Sequence, residues 1–132
     1  MIYLAAPYSD PDPAVREFRF LWASRYTAAC LRAGVLVYSP LSHGHAVAVT
    51  SVPASRKGEP AVPTDIHFWK RHAKWFIQRC EKVVVLMLPG WEKNDGVEME
   101  LNLAEEFSKT IEYAAPDEFI RQMEEVSNAS EP

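Results

Sequence analysis

Short, wholly apolar runs alternate along this chain with longer stretches in which apolar residues return every three or four positions. "MIYLAAPYS" is an apolar run halted by Pro7 and Ser9, and it reads as a buried strand leading into a loop. In "DPDPAVREFRFLWASRYTAACLRAG", Val15, Phe18, Trp22, Tyr26 and Ala29 recur at helical spacing. Asp12 is placed to cap that helix, Pro13 takes its first position and Gly34 stops it. "VLVYSP" is a second buried strand, ended by Pro40. "TDIHFWKRHAKWFIQRCE" predicts a helix capped at Thr64 or Asp65, with Trp69, Ala73, Phe76 and Cys80 on one face. "KVVVLMLPGW" is a fully apolar strand broken at Pro89 and Gly90, and another helix opens near Gly96. "TIEYAA" is a fourth short strand, and "PDEFIRQMEEV" a last helix before a polar tail at about 127–132.

Strands that alternate in this way with helices build a parallel sheet covered on both faces. The expected fold is therefore α/β, a doubly wound parallel sheet of the flavodoxin or Rossmann type, with four strands in the order 2-1-3-4. The 132 residues form one domain. Residues 41–64, "LSHGHAVAVTSVPASRKGEPAVPT", offer one short helical stretch around His43 to Val49 and then lose all periodicity. So long a segment in so small a domain reads as a lid or binding loop, with residues 50–63 its least ordered part. In doubly wound sheets ligands bind beyond the carboxyl ends of the strands, where strand order reverses. That crevice collects Pro7, Tyr8 and Ser9, the start of the lid, and Pro89 to Gly96.

One carboxylate sits where the pattern calls for an apolar residue. At about 100° per residue, Val97, Leu101, Ala104, Leu103 and Phe107 form the inward arc of the helix that opens near Gly96, and Glu100 lies inside that arc. Glu98, Asn102, Glu105 and Glu106 lie outside it. A carboxylate one turn into a helix, at the end of a buried strand, points into the crevice. Burying it costs several kcal/mol, at order of magnitude, unless it is paired or hydrogen-bonded. Two readings follow from the residues alone: an ion pair or first-turn helix charge, and a nucleophile or base in a desolvated pocket.

Charge and composition narrow the partners. A formal net charge of -4 offers no basic footprint for nucleic acid or an anionic membrane. No apolar run approaches a membrane span, and the chain enters strand-like sequence at Ile2 without a basic leader, so a cytoplasmic protein is expected. Cys30 and Cys80 lie in apolar helical patterns without ligand spacing and read as reduced core thiols. His43, His45, His67 and His72 fit no metal motif, so neither a metal nor a cofactor is implied. Phe68 and Trp75 fall off the inward face of their helix, which favours a contact between subunits of a homo-oligomer.

"IYLAAPYS", "CEKVVVLMLPGW" and "GVEMELNLA", in this order and spacing, resemble the nucleoside 2-deoxyribosyltransferase superfamily, which includes the 2′-deoxynucleoside 5′-phosphate N-hydrolases. The resemblance is strongest to a group of small bacterial and phage proteins within it that share the "PTD..FW" and "LPGW" stretches, and it covers roughly residues 1–114. It implies the same doubly wound sheet and a small-molecule nucleoside or nucleotide as ligand. It further implies that Glu100 is a nucleophile attacking C1′ of deoxyribose, with water or a second base resolving the glycosyl ester. Tyr3 then corresponds to the residue that holds the nucleophile in place. The family's catalytic aspartate falls on Ala73, which can neither protonate a base nor bind a ribose hydroxyl. His72 is adjacent to it, and Asp65, His43 and His45 could enter from the lid as replacements. Asn94 matches the position ahead of the glutamate helix where family hydrolases hold a 5′-phosphate, with Asp95 and Gly96 following. Arg16 and Arg19 are either phosphate partners or a solvated helix face. The expected function is N-glycosidase or deoxyribosyltransferase chemistry through Glu100. The alternative is a non-catalytic nucleotide-binding sensor or sponge that has lost the family aspartate.

Overall fold

The computed structural model is described here for all residues except 51–61, 64, 119–120, 122–124, 126–127 and 130–132. Four strands form one all-parallel sheet: β1 (Ile2–Ala5), β2 (Val37–Tyr38), β3 (Lys82–Leu86) and β4 (Thr110–Ala114), in the order β2-β1-β3-β4. The register pairs Tyr3 with Tyr38 on one side and with Val83 on the other. Helices α1 (Pro13–Arg32), α2 (Pro40–Thr50), α3 (Ile66–Arg79) and α4 (Asp95–Glu106) provide the crossovers.

Because side chains alternate along a strand, β1 feeds two cores. Leu4 and Ala6 pack with Ala23, Tyr26, Cys30 and Leu41 of α1 and α2. Tyr3 and Ala5 pack with Ala73 and Ile77 of α3 and Val97, Leu103 and Ala104 of α4. Both cysteines are free and buried, and burial pushes the Cys30 thiol up to about 11, so it stays neutral and inert. No described helix is long and apolar enough to cross a membrane.

Several expectations shift in detail. The short helix expected around His43 to Val49 is present and longer, running over eleven residues, Pro40–Thr50. Ser39 starts it, its Oγ accepting from Ser42 N at 3.2 Å, and Leu41 and His45, one turn apart, face inward. The low order expected of residues 50–63 falls mostly outside the described residues, as do parts of the last helix and polar tail, although 116–118 are helical. The second strand is only two residues long and half-buried, and Leu36 beside it is exposed, because it forms a sheet edge. Helix α1 buries Tyr26 and Ala29 as expected, whereas Phe18 is exposed and Arg19, Ala23 and Cys30 are buried, Arg19 through the hydrogen bonds it makes.

Arg19 clamps two loops. Its Nη1 donates to the carbonyls of Tyr8 (3.4 Å) and Ser9 (3.0 Å), and its Nη2 to that of Pro89 (3.0 Å). It is neither the phosphate partner nor the solvated residue its position suggested. Gly90 makes room for it: with φ of 90° the residue is left-handed, and a Cβ there would stand 2.8 Å from Arg19 Nη2.

Asp65 caps α3, accepting from Phe68 N at 3.0 Å. Asn94 caps α4, its Oδ1 accepting from Val97 N at 3.0 Å. Replacing Asn94 with alanine is expected to lower stability by about 1 kcal/mol, the ordinary value of a side-chain cap, measured by urea denaturation.

Candidate active site

The loops at the carboxyl ends of β1 and β3 enclose, with α2, α3 and the start of α4, a cleft of about 860 Å³. This is the strand-order reversal between β1 and β3, the place where doubly wound sheets hold ligands.

Glu100 reaches the cleft from α4. Val97, Leu103 and Ala104 bury the same side of the helix, and this carries Glu100 inward until only 6 % of it is exposed. Desolvation pushes its carboxyl up to about 8, against the opposing effect of a hydrogen bond from Tyr3. Tyr3, also lining the cleft, is almost fully buried, and its phenol is held well above its ordinary range by burial first and Glu100 second. Tyr38 stands beside it, with ring centroids 6.0 Å apart and its own phenol raised to about 12 by burial and Glu100. Tyr3 therefore donates to the carboxylate, and neither tyrosine ionises near neutral pH.

His72 lies on the α3 wall. Its Nδ1 is 3.4 Å from the Tyr38 hydroxyl, and its ring packs against Trp69, Phe76 and His43. Burial and then the neighbouring His43 lower its pKa, which favours the neutral ring. Ala73 follows it in the cleft wall and is itself a core residue. Ala73 thus presents only a methyl group to the cleft, from the core cluster that also holds Tyr3 and Val97.

On the opposite wall Tyr8, His45 and Glu17 form a chain. The Tyr8 hydroxyl is 2.7 Å from His45 Nδ1, and His45 Nε2 is 2.9 Å from Glu17 Oε2. A carboxylate only accepts, so Nε2 carries a proton toward Glu17. His45 is buried and stacked on Phe20, with centroids 4.3 Å apart. Tyr8 and His45 both line the cleft, while Glu17 stands outside it on α1.

Among the other expected residues, Ser9, Asn94 and Gly96 line the cleft. Asn94 spends its side-chain oxygen on the helix cap, leaving only its amide hydrogens for a ligand. Two expected residues are not among the described residues lining the cleft. Pro7 is fully buried. His43 is exposed and meets His72 through its ring, and it is not among the described residues lining the cleft, because on α2 His45 holds the inward position. Asp65 is committed to capping α3. Tyr38 and Glu17 were missed. Tyr38 could have been found from the strand register that pairs it with Tyr3, whereas Glu17 has the sequence signal of any solvated helix charge.

Among the described residues the charged lining is mostly acidic, with Asp10, Asp95 and Glu100 beside Arg16, whose Nη1 already donates to the carbonyls of Asp10 and Pro11. No group of three or more metal-ligating side chains occurs among the described residues.

A family model described as "Domain of unknown function (DUF1937)" matches residues 1–115, and the chain belongs to that family. Comparison with curated proteins finds no match.

Proposed function

We propose that this member of a family of unknown function is a small N-glycosidase or deoxyribosyltransferase-like enzyme that opens the N-glycosidic bond of a nucleoside. The observation that carries the reading is Glu100, a buried carboxyl aimed into a cleft at the strand-order reversal and held by the Tyr3 hydroxyl. In this reading the Glu100 carboxylate attacks C1′, the C1′–N bond breaks with its electron pair leaving on the base, and a glycosyl ester forms. Water or a second base then displaces Glu100 from C1′. Tyr3 holds the carboxylate in one rotamer and, by donating to it, helps to sustain its charged form. Trp69, Met99 and Leu41 supply apolar wall against which a flat base can lie.

Between a nucleoside and its 5′-monophosphate, the wall favours the nucleoside. Asp95 lines the cleft at the end of α4 where a phosphate would bind, so a dianion there meets a fixed negative charge. The test is incubation with a panel of deoxynucleosides and their monophosphates, with free base read by chromatography. Base release from at least one nucleoside, faster than from its monophosphate, is the expected result. No release from any of them would remove the catalytic reading.

Ala73 favours a second reading, a nucleotide-binding protein without turnover, because a methyl group stands in the wall where the resemblance calls for an acid. Against it stand the ionisable groups that share that cleft, Tyr8, His45 and His72. Binding by calorimetry without base release would establish it.

The homodimer expected from the aromatic flank of α3 rests on Phe68 and Trp75, 44 % and 51 % exposed on that helix. Light scattering at micromolar concentration is expected to give twice the chain mass, and replacing both residues with serine to return it to one. A wild-type monomer would count against the dimer.

A further inference from the structure

The described cleft has a nucleophile and, at Ala73, no acid, yet breaking a bond to a nucleobase leaves a strongly basic nitrogen that must be protonated. We infer that Tyr8, backed by His45 and Glu17, is the proton donor to the leaving base and the proton acceptor from the attacking water. The inference rests on the glycosidase reading of Glu100.

The geometry supports it in three ways. Tyr8 is the member of the chain with a hydroxyl at the cleft surface, and it sits in the loop immediately after the strand that carries Tyr3. Its oxygen is 2.7 Å from an imidazole nitrogen, a short contact suited to proton exchange. The far nitrogen of that imidazole is 2.9 Å from a carboxylate, which fixes its tautomer and orientation, as a carboxylate does behind a catalytic histidine. The Phe20 stack and the near-perpendicular Tyr8 ring, 5.5 Å away at 77°, hold the imidazole in that orientation. His72 is less suited, since burial and His43 favour its neutral ring and its contact with the Tyr38 hydroxyl is a long 3.4 Å.

The proton count closes over a cycle. With His45 as imidazolium paired to Glu17, Nδ1–H donates to the Tyr8 oxygen and the Tyr8 hydroxyl points its hydrogen to the cleft. As Glu100 attacks C1′ and the base departs with the bonding pair, Tyr8 gives its proton to the base and receives one from Nδ1, leaving neutral imidazole. Water then attacks C1′ of the glycosyl ester, and the C1′–O bond to Glu100 breaks with its pair returning to the carboxylate. The water proton passes to Tyr8 as Tyr8 passes its own to Nδ1, which restores the imidazolium. His45 and Glu17 act through Tyr8 and are positioning residues.

An acid is needed only when the leaving group is basic, so the test compares two leaving groups on one sugar. The first is the purine 2′-deoxynucleoside, and the second is 4-nitrophenyl 2-deoxyribofuranoside, whose phenolate departs without a proton. Tyr8→Phe keeps the ring, and thermal melting checks its fold. It is expected to lose about a hundredfold or more in purine release. Its first equivalent of nitrophenolate should still appear within about threefold of the wild-type rate, followed by slow turnover because water activation also needs Tyr8. Glu17→Gln should show the same selectivity at about tenfold. Purine release by Tyr8→Phe at the wild-type rate overturns the inference, as does equal loss of the first equivalent from both substrates, which would make Tyr8 a binding residue. Appearance of the selective pattern in His72→Asn instead of Tyr8→Phe overturns it too. A wild type that releases neither leaving group overturns the glycosidase reading and this inference with it, an outcome distinct from an active wild type indifferent to Tyr8.

Discussion

Replacing Glu100 with glutamine is expected to abolish base release, by a thousandfold or more, and at the same time to stabilise the fold. Loss of activity follows because an amide cannot form the glycosyl ester and no other described carboxylate is buried in the cleft. The gain in stability follows from proton linkage. The carboxyl titrates near 4.5 in the unfolded chain and at about 8 in the folded one. Below about pH 4.5 both states are protonated and Glu100 costs nothing. Between the two values the folded state keeps a proton that the unfolded chain has released, so the stability of the wild type falls as pH rises. Above about 8 both states are ionised and the whole desolvation cost is present. Glutamine removes that slope, while Tyr3 can still donate to its side-chain oxygen. The variant is therefore expected to match the wild type near pH 4.5 and to exceed it by about 2–4 kcal/mol at pH 8. Urea denaturation across that range measures it. Parallel pH dependences of the two proteins would mean that Glu100 is not desolvated as described. Activity gives the complementary profile: a nucleophile must be ionised, so kcat/KM of the wild type should rise with pH toward about 8.

Arg19→Leu is expected to be the most destabilising single substitution outside the apolar core, at about 3 kcal/mol, or roughly 10 °C in Tm. Leucine fills part of the space but leaves the carbonyls of Tyr8, Ser9 and Pro89 without the donor that gathers them. Because those carbonyls belong to the loops after β1 and β3, the same change should loosen the cleft and raise KM more than it lowers kcat. Gly90→Ala acts on the same clamp, through a strained φ and a Cβ 2.8 Å from the guanidinium. The double variant should then cost less than the sum of the two single ones, since they share one contact. Full additivity would show that Gly90 matters for its backbone alone.

Strand order, the crossovers and the inward placement of Glu100 were legible in the chain itself, and the reason is periodicity. Period-two and period-3.6 patterns are local, and alternating strands and helices leave few topologies open once crossovers must be right-handed. The buried carboxylate was visible because it broke such a pattern: Val97, Leu103 and Ala104 fix the buried side of α4, and Glu100 lies within it.

Tertiary structure decided what periodicity cannot encode. Arg19 reads as a surface cation until two loops, one of them seventy residues away, present carbonyls to it, and it is then buried while Phe18 beside it stays exposed. His43 and His45 are chemically alike and two residues apart. Which of them reaches the cleft depends on how α2 lies on β1, although a short helix was itself expected there. The Tyr8–His45–Glu17 chain joins three elements whose residues are 37 and 28 positions apart, so no local pattern announces it. Residue order sets which faces must be buried. Side-chain hydrogen bonds between distant elements, worth only about 1 kcal/mol each but costly to leave unmade, set the partners of the polar groups that remain.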